Sequence, residues 1–181
     1  MIIIGHRGAG ELASENTIAG ITHGVSLGLH YVEFDIQATS DNQLILMHDS
    51  SLYRTCGDTR IVKNLSSKEL KDITTNEGDP VPTLKQAAQA CDSAIAVVEG
   101  KGSNWAGPLL KQLHYFTKQP IVISYNLHEL NIIRQRNPTI ELFLINKTNP
   151  FSAIHQAWQH QLTGVTLLYW MYNPFAYYYA K

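Results

Sequence analysis

Short apolar runs alternate with helical patterns along most of the chain. Residues 2–5 read as a buried strand ending at Gly5, and 15–28 as a helix with Gly28 as its C-cap. Residues 31–37 and 44–48 read as strands separated by the turn-forming Ser40-Asp41-Asn42. Helical patterns follow at 84–92, 104–117, 127–136 and 150–161, interleaved with strands at 94–101, 120–125, 140–145 and 164–170. Thr83 caps the first of these helices, and Asn137-Pro138 stops the third.

Apolar strands alternating with helices predict parallel pairing, with both sheet faces covered. Seven strands predict an α/β barrel of the TIM type rather than an open doubly wound sheet. That barrel has eight strands and typically about 250 residues. The chain has 181, so a barrel shortened at the C-terminus is expected, its eighth strand missing or atypical. Residues 50–82 break the rhythm: they are polar, carry Gly57 and Gly78, and end in Pro80 and Pro82. A capping box at Ser66-Ser67-Lys68-Glu69 predicts one short helix there. The stretch reads as an insertion within one domain spanning 1–181.

Composition narrows the function classes. With 44% hydrophobic residues the chain can bury a core. Its 14 basic and 15 acidic residues leave a net charge of −1, so no broad field draws in nucleic acid or an anionic membrane. An anionic substrate must then be held by a few placed cations. No apolar run is long enough for a membrane span, and no basic-then-apolar leader precedes His6. Cys56 and Cys91 form no C-x-x-C pair and read as free thiols in a reducing compartment. A cytoplasmic location is the expectation.

The candidate chemistry sits at strand ends. Glu33 and Asp35 are two apart on a strand and share a face, with Val32, Phe34 and Ile36 on the other. Neighbouring carboxylates inside a barrel need a cation, a proton or hydrogen-bond donors; a wet strand end is the alternative. Glu99 and Lys101 repeat the pattern on a second strand. Glu33, Asp35 and Glu99 are oxygen ligands without cysteine, which favours Mg²⁺ or Ca²⁺ over zinc. His6 and His48 each close an apolar run, and framing the carboxylates they read as a general acid–base pair. Arg7, beside Gly8-Ala9-Gly10, is suited to phosphate, with Lys101 as a second cation. The alternative for Arg7 is a salt bridge to Glu15 or Asp35.

These residues fall in an ordered set: His6-Arg7-Gly8-Ala9, Glu15-Asn16-Thr17, Glu33-Phe34-Asp35, Thr39 and Asp41, His48-Asp49, Leu52, Arg54-Thr55, Pro82-Thr83-Leu84, Glu99-Gly100-Lys101, then Ser124-Tyr125-Asn126 and His128-Glu129-Leu130. The set resembles the glycerophosphodiester phosphodiesterase family, up to about residue 168. The resemblance implies metal ligation by Glu33, Asp35 and Glu99, acid–base work by His6 and His48, and phosphate binding by Arg7 and Lys101. It implies hydrolysis of a small glycerophosphodiester to an alcohol and glycerol 3-phosphate. It makes Glu15-Asn16 a loop brace and the insertion a contributor to selection of the alcohol.

Two departures from the family pattern carry expectations. Gly100 replaces a branched apolar residue, which predicts looser packing against the helices. The family's eighth strand is only echoed in Tyr169–Asn173, before an aromatic tail. Either that tail or a second chain is expected to cover the exposed edges, so a homodimer through the C-terminal region is one expectation. The competing readings are a catalytically impaired paralogue that binds a phosphorylated ligand, and a related phospholipase-type phosphodiesterase.

Overall fold

A computed structural model describes residues 2–172 and 174–180. Its strands are β1 (Ile4–Gly5), β2 (Tyr31–Ala38), β3 (Leu44–Leu46), β4 (Ile95–Gly100), β5 (Ile121–Ser124), β6 (Leu142–Asn146) and β7 (Gly164–Leu167). Its helices are α1 (Ile18–Ser26), α2 (Tyr53–Cys56), α3 (Ser67–Leu70), α4 (Leu84–Ala90), α5 (Ala106–Gln112), α6 (Leu127–Arg136), α7 (Pro150–Gln159) and α8 (Pro174–Tyr179). The sheet runs β1-β2-β4-β5-β6-β7, every neighbouring pair parallel. It forms a shortened α/β barrel.

The third strand corrects the sequence reading. β3 pairs antiparallel with β2, with Ile36 opposite Leu46 and Ala38 opposite Leu44. It is the return arm of a hairpin, not a stave of the barrel. The cause is connection length: residues 39–43 make a turn, whereas a parallel crossover needs about a dozen residues or more. Six parallel strands remain. Among the described residues no eighth strand follows β7, and the outer edges of β1 and β7 are unpaired.

The two faces of the sheet differ accordingly. Outward-facing Val32, Phe34, Ile36, Ala96 and Val98 are buried against helix residues such as Ile21, Leu84, Leu109 and Leu130. On the inner face, Ile4, Val97, Ile121, Ile123, Phe143 and Val165 line an open cavity of about 440 Å³. A closed barrel packs that space with side chains. The burial expected of residues 2–5 is met only at Gly5: Ile2, Ile3 and Ile4 are exposed, because nothing among the described residues lies along the free edge of β1.

Helix starts follow their caps. Thr17 accepts from the Gly20 amide and opens α1 three residues later than periodicity alone predicts. Thr83 with Gln86, and Ser66 with Glu69, form full capping boxes. Buried Glu129 accepts from the backbone amides of Asn104 and Ala106, both at 2.8 Å, and so fixes the entry to α5. That entry places Trp105 in the core, fully buried. A Cβ on Gly100 would stand 2.2 Å from the Trp105 ring. Glycine at this position thus admits an indole; the expected looser packing is not found.

Residues 50–82 hold two short helices, α2 and α3, where one was expected. Leu52, Val62, Leu65 and Leu70 form a small core of their own with Ile45 and Met47, apart from the main one. In the tail, α8 packs on α7, and Phe151 meets Tyr179 edge-on at 5.6 Å. Asn173 and Lys181, which belong to the strand echo and the aromatic tail, lie outside the described residues. No helix among the described residues is long and apolar enough to cross a membrane.

Candidate active site

Period two along β2 puts Glu33 and Asp35 side by side, and the β2–β4 register sets Asp35 opposite Glu99. The three carboxylates each bring an oxygen within 4.8 Å of the other two. Glu33 and Asp35 are buried, at 5% and 1% exposure. Lys101 lies over them, its Nζ 3.0 Å from Asp35 Oδ1 and bonded to Glu99. Burial works to lower the Lys101 ammonium, but Asp35 and Glu99 override it and hold the pKa above its ordinary value.

Glu33 is the least satisfied group in the cluster. Its Oε2 accepts from the Arg7 amide at 2.8 Å, while its Oε1 is buried and has no hydrogen-bond partner among the described residues. Burial, then the Asp35 charge, push its carboxyl from 4.5 up to about 8. An orphaned carboxylate oxygen facing two further carboxylates fits a hard divalent cation, whose charge would remove both penalties.

The sign of the pH dependence follows. Between 4.5 and about 8 the folded metal-free chain keeps a proton on Glu33 that the unfolded chain has released. Stability therefore falls as pH rises through that window. In EDTA, the melting temperature is expected to drop from pH 5 to pH 8.5. Added Mg²⁺ or Ca²⁺ should raise it more at the upper end than at the lower. Glu33→Gln should flatten the drop; an unchanged profile in that variant would refute the assignment.

The two histidines flank this cluster. His6 is exposed, with Nε2 4.0 Å from Glu33 Oε2. Desolvation on its cluster-facing side, then the Arg7 charge, lower its pKa, which favours the uncharged ring. His48 follows β3 and directs Nδ1 to Asp49 Oδ1 at 2.6 Å. Gln37 Nε2 donates to the backbone carbonyls of Met47, His48 and Asp49, holding that loop against β2.

Arg7 sits in the left-handed region at φ 51°. Its Nη1 donates to Glu15 at 3.0 Å, and its Nε lies 3.4 Å from Asp35 Oδ2. Both salt-bridge partners weighed from sequence are therefore present. Nη2 carries neither contact. A Cβ on Gly8 would meet the Gly20 backbone at 2.7 Å, so its smallness serves packing against α1.

Glu15 and Asn16 brace the site. Asn16 Nδ2 donates to Asp35 Oδ2, and its Oδ1 accepts from the Asp35 amide, both at 2.9 Å. Glu15 also accepts from Arg54 at 2.7 and 2.8 Å, and Arg54 Nε donates to Asp49. One chain of ion pairs, ending in the Asp49–His48 hydrogen bond, thus runs Arg7–Glu15–Arg54–Asp49–His48, joining the loop after β1 to the loop after β3. Gln37, Asp49 and Arg54 had no role assigned from sequence. Gln37 alone left a local signal, two residues beyond Asp35 on the same face.

All seven candidate residues are thus brought to one end of the sheet. Comparison with known proteins adds to that geometry. Residues 6–165 match the model of the glycerophosphoryl diester phosphodiesterase family. The chain is 30% identical over 164 residues to YhdW of Bacillus subtilis, covering 82% of this chain and 67% of that protein. It is 25% identical over 172 residues to the glycerophosphodiester phosphodiesterase of Caldanaerobacter subterraneus subsp. tengcongensis, covering 86% and 71%. Among solved structures, an Oleispira antarctica phosphodiesterase in complex with the product sn-glycerol-3-phosphate superposes with a TM-score of 0.87 at 19% identity, covering 96% of this chain and 77% of that one. The Thermotoga maritima glycerophosphodiester phosphodiesterase gives 0.77 at 20%, covering 92% and 74%.

Proposed function

Because the chain belongs to the glycerophosphoryl diester phosphodiesterase family, whose members are phosphoric diester hydrolases, we propose that it is a metal-dependent glycerophosphodiester phosphodiesterase, releasing an alcohol and glycerol 3-phosphate. The proposal covers one domain, residues 1–181, with 50–82 as its insertion. The observation that carries it is the buried Glu33–Asp35–Glu99 cluster with an orphaned oxygen, capped by Lys101 and flanked by His6 and His48. The Oleispira antarctica relative, which holds sn-glycerol-3-phosphate as product, supports the same product here.

The chemistry follows from charge. A phosphodiester is anionic and repels an attacking oxygen. Glu33, Asp35 and Glu99 would hold Mg²⁺ or Ca²⁺, which when bound supplies Lewis-acid polarisation of a phosphoryl oxygen. Arg7, through Nη2, which makes no hydrogen bond among the described residues, and Lys101 add fixed positive charge where the transition state gathers negative charge. One of His6 and His48 takes the proton from the attacking oxygen, of water or a neighbouring substrate hydroxyl. The other gives a proton to the departing alkoxide. Asp49 holds the His48 ring by its Nδ1, which leaves Nε2 for the proton transfer.

Glycerol 3-phosphate release from a panel of glycerophosphodiesters, with Mg²⁺ or Ca²⁺, tests this. Turnover abolished by EDTA is expected. Bound metal and glycerol phosphate without turnover would instead establish the impaired, binding-only paralogue.

Arg54 is a positioning residue in this scheme, since it touches Asp49 and Glu15 but no ligand of the cluster. Arg54→Ala should lower kcat by about 10- to 100-fold while leaving metal affinity near normal. Arg54→Lys should recover only part, because a lysine lacks the planar fork that spans both carboxylates. Loss of metal affinity in step with kcat would count against a positioning role.

The outer edges of β1 and β7, unpaired among the described residues, and the exposed Tyr169, Trp170 and Phe175 support a homodimer through the C-terminal region. A monomeric mass in solution would exclude it. A cytoplasmic location is part of the same proposal, resting on the free thiols of Cys56 and Cys91.

A further inference from the structure

A cavity of about 570 Å³ opens beside the carboxylate cluster, between the β2–β3 turn, the inserted segment and the loop from β4 to α5. Ser40, Asn42, Ser50, Lys63, Lys101 and Asn104 form its polar walls. Lys101 is the shared wall, with Nζ 3.0 Å from Asp35 Oδ1. A phosphodiester whose phosphate lies on Lys101 has this cavity within reach of one of its two alcohol portions; it is larger than the other cavity that Lys101 lines, of about 450 Å³ beside Tyr125.

Size and charge decide which portion and of what kind. A volume of about 570 Å³ is within the range of pockets that enclose drug-sized ligands, and far exceeds what a three-carbon glycerol arm requires. Among the described residues neither a carboxylate nor an aromatic ring lines the cavity. Asp41, close by in the turn, commits its carboxylate to Thr39 and Ser67. A quaternary amine is recognised by aromatic faces or anionic groups, and here it would face two lysines. Hydroxyl and amide groups of Ser40, Asn42, Ser50 and Asn104 suit a ligand rich in hydroxyls, and Lys63 adds attraction for negative charge.

We propose that this cavity receives the departing alcohol, and that it selects a polyol or an anionic alcohol against a cationic one such as choline. The inference rests on the phosphodiesterase reading above and adds its substrate class.

The test compares kcat/KM for glycerophosphoinositol and glycerophosphocholine in the full chain and in two variants, Lys63→Glu and Asn104→Asp. Lys63 is exposed, so its replacement should leave the melting temperature unchanged; Asn104→Asp introduces the same negative charge on a different wall. The unsubstituted protein is expected to prefer glycerophosphoinositol by about tenfold or more. Each variant should reduce that ratio by about fivefold, the effect of one near-surface charge at close range. Equal or reversed preference in the unsubstituted protein, or a ratio that neither variant moves, would overturn the assignment and leave the cavity to the common glycerol portion. Turnover of neither compound would overturn the phosphodiesterase reading, and this inference with it.

Discussion

Glu33→Gln and Asp35→Asn together are expected to reduce kcat/KM for glycerophosphodiester hydrolysis by about a thousandfold or more. The estimate corresponds to roughly 4 kcal/mol of lost transition-state stabilisation, the scale of a Lewis-acid contribution. Both substitutions keep shape but remove charge, so the outer face of β2 should pack as before. The loss should exceed that of either histidine alone, since a single proton-transfer residue contributes about 10²- to 10⁴-fold. Asp35 also receives Lys101 and approaches Arg7, so its neutralisation frees both cations as it empties the cation site. Steady-state kinetics with metal titration, and calorimetry for metal binding, measure the two effects separately. Turnover that persists in the double variant would remove the metal from the mechanism.

Gly100→Val is expected to be the most damaging single change to stability, at about 3 kcal/mol. On a chain of this size that lowers the melting temperature by roughly 6–12 °C. The backbone is not the cause, for Gly100 is absent from the residues with positive φ. The cause is the Trp105 ring, 2.2 Å from where the first added carbon would sit. Glu129 holds the amides on either side of Trp105, one bond buried and the other partly so, and these resist withdrawal of the indole. Trp158 and Trp170 are exposed, so a red shift of the blue-edge tryptophan emission reports on Trp105 alone. Trp105→Leu in the Gly100→Val background should recover part of the loss, the non-additivity expected of two side chains sharing one space. Additive losses would show that the contact is not the source.

What was legible in the sequence is what depends on local period. Glu33, Asp35, Glu99 and Lys101 share a face because strand side chains alternate, and the capping boxes at Ser66 and Thr83 are short-range chemistry. The direction of β3 was also within reach, since five residues cannot carry a parallel crossover. Other features depend on contacts across long separations. Arg54 meets Glu15 across 39 positions, and Trp105 occupies the space that Gly100 leaves. No periodicity marks either pair. The start of α1 lay in between: Asn16 has a left-handed backbone, φ 55°, because its side chain serves Asp35 rather than a helix.

The order β1-β2-β4-β5-β6-β7 has a consequence for how the molecule is made. Each parallel strand lies beside the parallel strand synthesised just before it, so each can dock on an edge already in place as the chain leaves the ribosome. All seven candidate site residues belong to the first 101 positions. The site is therefore built from the earliest strands and their hairpin, while β5 to β7 extend the sheet away from it. The strands that carry the candidate chemistry therefore leave the ribosome before β5 to β7, the strands that extend the sheet.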